Sequence, residues 1–322
     1  MARRRRSAVL KPLSPAAKAI IGVLSFILPI ALWCLVSYVP EIWHPQVEIT
    51  DPGAVPYLQV GLRMPKADFD ALVDSANADS SAPPKGQPAN PIYLPAPDQV
   101  LRAMYSAFLT PPLAQDGVWL HESLWHSVQI IFWGFVISSL IGVPIGVLCG
   151  TYAGISRLTE PFVEFFRYLP APAFGALCVA ILGIFDGPKI AIIVIGTLFQ
   201  QVLIIANTTR KLDTALVETA LTLGTRNSQL LRRVVLPGIL PDLYRDQRIL
   251  LGWAWTYLIV AELIGTMSGI TWFITQQARY QHFENVYAAI IMIGILGLGC
   301  DMILAMLSRR FFPWERSLAQ VA

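Results

Sequence analysis

Residues 127–149 read SVQIIFWGFVISSLIGVPIGVLC, and this run decides the fold class. A helix needs about 20 mostly apolar residues to cross the hydrocarbon core of a bilayer. No water is there to bond backbone N–H and C=O groups, so such a run becomes a helix that satisfies them internally. Five more runs of this character lie outward from it. They cover about Ala19 to Val39, Pro161 to Phe185 (interrupted by prolines), Lys189 to Ala206, Ile249 to Met267 and Val286 to Leu307. The composition agrees. Of 322 residues, 55% are hydrophobic and 14% charged, and the mean hydropathy is +0.55; soluble domains carry about 25% charged residues. A disordered chain, a disulfide-knit secreted module and an ordinary cytosolic enzyme are excluded. The expected fold is an all-α membrane protein with about six transmembrane helices.

Lys and Arg mark the cytoplasmic side of a membrane protein. Residues 1–18 hold Arg3, Arg4, Arg5, Arg6, Lys11 and Lys18 and no acid, residues 207–248 hold seven basic residues against four acids, and the tail adds Arg309, Arg310 and Arg316. Residues 41–118 hold nine acids and four basic residues. Six spans with both termini in the cytoplasm satisfy all of these at once. The basic N-terminus reads as a topology signal, with lipid or partner binding as the other reading. The first apolar run is longer than a signal-peptide core and no A-x-A site follows it, so it reads as a retained span. The expected organisation is a basic N-terminus (1–18), a first span (19–40), an extracytoplasmic segment (41–118), a membrane core (119–314) containing a long cytoplasmic loop (209–248), and a tail (315–322).

The extracytoplasmic segment holds 12 of the 24 prolines. Residues 80–97, rich in Pro, Ser, Ala and Gly, read as irregular. Apolar spacing predicts helices over Lys66 to Asn77 and Asp98 to Leu109, the second with Asp98 as its cap. The segment has too little apolar material for a core of its own. It reads equally as a docking surface for an external partner or as a filler insertion. Cys34, Cys149, Cys178 and Cys300 sit in apolar runs without C-x-x-C spacing, so neither a disulfide nor a metal site is expected.

The long loop contains TALVETALTLGTRNSQLLRRVVLP, residues 214–237. Two short amphipathic helices are predicted, about Thr214 to Leu223 and Gln229 to Leu236. Gly224 takes the positive φ after the first. Ser228 is placed to cap the second, and Pro237 and Pro241 to stop it. Leu216, Ala220 and Leu223 form an apolar face, ringed by Arg226, Arg232 and Arg233. Glu218 lies near the start of the first helix, where a carboxylate suits the macrodipole.

The spacing E-x-A-x3-G-x9-V-x-L-P, carried by Glu218, Ala220, Gly224, Val234, Leu236 and Pro237, resembles the EAA loop of ABC importer permeases. Thr219 stands where that family usually has Ala. The resemblance runs from about Leu94 to Trp314 and looks closest to permeases for nitrate, sulfonates, taurine and bicarbonate. Leu94-Pro-Ala-Pro97, His126-Ser127, Gly142-Val-Pro-Ile-Gly146, Arg167-Tyr-Leu-Pro170, Asn207-Thr208, Ala261-Glu262 and Tyr287-Ala-Ala-Ile290 carry it. Residues 47–93 look like an insertion, and Phe199-Gln200-Gln201 replaces an apolar-Pro pair. The resemblance implies a bacterial inner-membrane permease for a small anion. It implies a second permease copy, identical or related, and two ABC ATPases docked on Glu218, Thr219, Ala220, Gly224, Arg232, Arg233, Leu236 and Pro237. A periplasmic solute-binding protein would deliver the substrate. The chain has no G-x4-G-K-[ST] stretch, so it binds no cofactor itself; ATP and Mg belong to the ATPase partner. No nucleic acid partner is expected. An ATP-independent channel or secondary transporter, or a membrane scaffold, are the other readings; no internal repeat of the secondary-transporter kind is visible.

Polar residues inside spans are costly and tend to be functional. Arg167 either meets an anion beside Pro170 and Pro172 or snorkels to the headgroups. Gln200, Gln201 and Glu262 either line a translocation path or make interhelical hydrogen bonds. Asp301 reads as a packing or helix–helix bonding residue. The pairs Gly142/Gly146 and Gly146/Gly150 permit close helix contact.

Overall fold

The computed structural model describes residues 14–39, 42–78, 81–109, 119–265 and 268–314. They form two compact units, one holding the chain up to Tyr105 with Gln281–Asn285, the other Ser106–Tyr280 and the chain from Val286.

The first unit opens with helix α1 (Pro15–Tyr38), whose apolar side chains are exposed along most of its length, with Trp33, Cys34 and Val36 half-buried. A helix apolar all round belongs in lipid or a deep core. The Trp33 indole N–H donates to the Pro95 carbonyl at 3.1 Å. The Tyr38 hydroxyl bonds the Asp98 carboxylate and, with Arg102 nearby, holds that carboxyl below its usual range. Three antiparallel strands follow, β1 (Gln46–Asp51), β2 (Arg63–Pro65) and β3 (Lys85–Ala89), in the order β2-β1-β3 with a bulge between Ile49 and Asp51. Val47 and Ile49 alternate inward from the central strand and meet Leu58 and Phe69, the latter on α2 (Lys66–Ala78). The segment therefore does build a small core and a sheet, against both expectations. Its apolar residues are few but strand pairing gathers them from distant positions. Pro88 is tolerated because β3 is an edge strand, and Gly86 is needed because a Cβ there would lie 2.3 Å from the Val47 side chain. Helix α3 (Pro97–Leu109) begins with proline at its first position; the Ala96 N–H is bonded by the Gln99 side chain at 3.1 Å, so Asp98 lies in the first turn and is not the cap.

The second unit is a helical bundle. Helix α4 (Leu120–Thr151) packs along α7 (Asp186–Arg210). A Cβ on Gly134, Gly142, Gly146 or Gly150 would lie under 3.0 Å from, in turn, Ile193, Gln201, Ile205 and Thr209. The partners keep constant sequence separation, so the two helices run parallel and nearly touch along a glycine seam. Between them the chain forms α5 (Ala153–Arg167), a 3₁₀ turn (Ala171–Phe174) and α6 (Gly175–Leu182). The break bends this stretch by 88°, so the third apolar run is a broken pair and not one rod.

The loop after α7 forms α8 (Thr214–Thr222) and α9 (Asn227–Leu230). A π-helical turn (Leu231–Val235) then runs directly into α10 (Leu236–Glu262). Pro237 and Pro241 thus do not end the helix. The π turn shifts the bonding register, with the Leu236 N–H reaching back to the Leu231 carbonyl, and Pro237 falls in the first turn of α10. The fifth apolar run ends early, at Glu262. Gly265 and Gly269 both take positive φ, 82° and 87°, and turn the chain into an unforeseen short helix, α11 (Ile270–Arg279); Met267 lies outside the described residues. Helix α12 (Phe283–Phe311) follows. By length and apolarity α1, α4, α7 and α12 each qualify as a span, and the bent α5–α6 pair qualifies together. Helix α10 falls short on that measure because Asp242, Arg245, Asp246 and Arg248 load its first half. Ile130, Ile192, Ile193, Leu258 and Ile270 centre the apolar core.

Candidate functional site

The loop between α7 and α10 has an inner and an outer face. The Asp213 carboxylate caps α8 by accepting from the Ala215 N–H at 2.9 Å. Gly224 ends the helix at φ 76°, and its N–H reaches the Leu221 carbonyl at 2.9 Å. The Thr225 hydroxyl donates back to the Ala220 carbonyl at 2.6 Å. The cap of α9 is Arg226, two residues earlier than the expected Ser228; its N–H is bonded by the Gln229 side chain at 3.2 Å. Inward, Ala220, Leu230 and Val235 pack with Val147 of α4, Ile205 of α7 and Ile239 of α10. Outward stand Glu218, Thr219, Gly224, Arg232, Arg233 and Pro237, all exposed, with Leu236 half-buried. Leu216 and Leu223 are exposed too, Leu223 by 79%. Ala220 therefore belongs to the inner face, and the outer apolar surface is Leu216, Leu221 and Leu223. Among the described residues nothing covers these three side chains.

The intramembrane candidates separate. Arg167 ends α5 exposed, its guanidinium 4.7 Å from the Tyr168 ring centroid and donating to the Tyr168 hydroxyl at 2.8 Å. Gln200 is half-buried, while Gln201 is fully enclosed in an amide–hydroxyl network. Ser138 donates to Gln201 Oε1 at 2.7 Å, and Gln201 Nε2 donates to Ser139 at 2.9 Å and to Gln247 Oε1 at 2.6 Å. This joins α4, α7 and α10 within the bundle.

Glu262, 1% exposed, closes the opposite end of the bundle from the loop. Its Oε2 accepts the Thr271 N–H at 2.8 Å, and its Oε1 meets the Ser127 hydroxyl, which itself accepts the Ile270 N–H at 2.9 Å. Two of the unpaired N–H groups that begin α11 are thus satisfied by side chains from α10 and α4. Beside it Lys189, fully buried, is held by Asp186 at 3.3 Å and by Ser268, and His126 reaches Asp186 at 3.1 Å. Sequence reading missed this cluster. Its one local signal is the i,i+3 spacing of Asp186 and Lys189 at the head of an apolar run. Among the described residues no group of His, Cys, Asp and Glu is arranged to hold a metal.

A family model described as "Binding-protein-dependent transport system inner membrane component" matches residues 142–313. A "Probable ABC transporter permease protein" of Brucella abortus (strain 2308) is 31% identical over 224 residues, which cover 70% of this chain and 87% of that one. The taurine transport system permease protein of Escherichia coli (strain K12) is 28% identical over 226 residues, 70% of this chain and 82% of that one. In fold, the chain is similar to a structure of the inward-facing MetNI methionine ABC transporter, with a TM-score of 0.55 and 21% identity, covering 62% of this chain and 99% of that one. The chain belongs to the family of binding-protein-dependent transport system inner membrane components: it is the permease component of an ABC importer and not itself a catalyst.

Proposed function

We propose that the chain imports a small anion of the nitrate, sulfonate, taurine or bicarbonate kind across a bacterial inner membrane by alternating access. One of two ATPase partners docks on residues 214–237, the other on the second permease; when the two close on ATP this loop moves, and the bundle rocks between inward-open and outward-open states. A second permease copy completes the pathway, and a periplasmic solute-binding protein delivers the substrate. In this reading the chain makes six spans with both termini cytoplasmic, residues 41–118 lie outside, 119–314 form the permease core, and 209–248 face the ATPase. The observation that carries the reading is the outward Glu218, Thr219, Arg232 and Arg233 surface with exposed Leu216 and Leu223, on a loop whose inner face is welded to α4, α7 and α10. The likeness to a taurine permease supports the anion class.

The test is uptake against ATP hydrolysis in membranes holding the whole transporter. Gly224 has positive φ and an engaged N–H; proline permits neither. Gly224→Pro and Glu218→Lys are expected to lower uptake roughly tenfold, or about 1.4 kcal/mol of coupling, with normal amounts of chain in the membrane. Wild-type uptake in both variants, or uptake that persists after complete ATP depletion and follows an ion gradient, overturns the reading. An ATPase subunit is also expected to co-purify with the detergent-solubilised chain.

A further inference from the structure

The C-terminal half of α12 is sparsely packed. Met292, Ile293 and Leu296 still reach the apolar core, but no residue from Gly297 to Phe311 is fully buried, and a Cβ on Gly297 or Gly299 would meet nothing within 4 Å. Lipid tails are as apolar as leucine, so apolar contact alone gives little drive for helix association in a membrane. Polar contacts hold this half instead. The Arg248 guanidinium on α10 grips Asp301 as a fork: Nε to Oδ1 at 3.0 Å, Nη2 to Oδ1 at 2.9 Å and Nη2 to Oδ2 at 2.8 Å. One turn earlier the Tyr244 hydroxyl donates to the Leu304 carbonyl at 2.9 Å, and its ring meets Phe312 edge-on with centroids 5.7 Å apart. A two-point fork fixes direction as well as distance, which a single bond does not. Between these two residues, Asp246 bonds Thr208 of α7, and Gln247 bonds Gln201 of α7 and Ser139 of α4. One short stretch of α10 therefore grips α12, α7 and α4, and α10 is helically continuous with the loop proposed to receive the ATPase.

We infer that the Arg248–Asp301 fork, backed by Tyr244, is the positioning joint that makes α12 follow α10 during transport. The inference rests on reading 214–237 as the docking loop. Without the fork, α10 moves and α12 is left behind, so ATP is spent without a matching rearrangement of the pathway.

The joint is read by pulsed electron–electron distance measurements between spin labels at residues 252 and 298, in the full-length chain with its co-purified ATPase in nanodiscs. With labelled chain diluted in unlabelled chain, so that only distances within one copy are read, the wild-type background is expected to give one narrow distance, the same with and without Mg-ATP. Arg248→Met is expected to lose that single distance, and more so with Mg-ATP, while ATP hydrolysis stays at the wild-type rate. The exchange Arg248→Asp with Asp301→Arg is expected to restore it, and Asp301→Asn, which keeps one bond, to fall between. A merely structural role would lower the yield of assembled complex and its hydrolysis together, and that result overturns the joint, as does a wild-type distance in Arg248→Met in both states. If no ATPase co-purifies, the docking reading falls, while the nucleotide-free distances still decide whether the fork orients α12.

Discussion

Gly146→Leu is expected to cost the bundle its α4–α7 contact. A Cβ at this position would stand 2.8 Å from the Ile205 Cβ and 2.9 Å from the Val202 carbonyl oxygen. The second of these is backbone and cannot rotate aside, so the two helices must separate. Forced overpacking of this kind costs about 3 kcal/mol, and separation also strips contacts from Gly142 and Gly150 on the same seam. The apparent unfolding midpoint in detergent, followed by tryptophan fluorescence, is expected to fall by roughly 10 °C. Gly154→Leu is the control, because a Cβ at Gly154 meets nothing within 4 Å; it is expected to melt with the wild type. Equal midpoints for the two variants would mean that the seam does not hold the helices together.

Glu262→Leu is expected to release the start of α11. The substitution leaves the Thr271 N–H without its acceptor inside a buried site, whereas the Ser127 hydroxyl keeps the Ser123 carbonyl at 2.9 Å. Orphaning such a group costs about 3 kcal/mol, equivalent to roughly a hundredfold in a local opening equilibrium. Hydrogen exchange at the Thr271 amide is expected to quicken by about that factor. Glu262→Gln keeps an acceptor oxygen and is expected to fall well short of it. Unchanged protection of Thr271 in the leucine variant rules out the capping role.

Local features were legible in the sequence where the deciding interaction is short-range. The positive φ at Gly224 and the extents of α2 and α8 follow from residues within one or two turns, and the permease spacing of 218–237 lies in one continuous stretch. The glycine spacing on α4 was visible as a capacity for close packing, but its partner, α7, was not named by it. The cap on α11 comes from Ser127, 143 residues away from Ile270, and Glu262; no local pattern announces it. The same holds for the β1–β3 pairing, where Val47 faces Pro88 across a span of chain rich in prolines. Proline misled at 237 and 241: a π turn leads into α10 and sets Pro237 in its first turn, while Pro241 lies inside α10 without ending it. The bend between α5 and α6 was read as an interruption in one span because composition records apolarity and not direction.

The unbroken run from α9 through the π turn and α10 has a mechanical consequence. From Asn227 to Glu262 the backbone is helical without a gap, a shaft roughly 54 Å long at 1.5 Å per residue. If α10 is the fifth span of the proposed topology, a hydrocarbon slab about 30 Å thick leaves close to half of the shaft protruding. A tilt of about 10° around its middle swings either tip by roughly 5 Å. Arg232 and Arg233 ride near one tip, and the carboxylate that latches α11 sits on the other. A single see-saw stroke would be felt on both sides of the membrane in the same instant, with no relay of side chains in between.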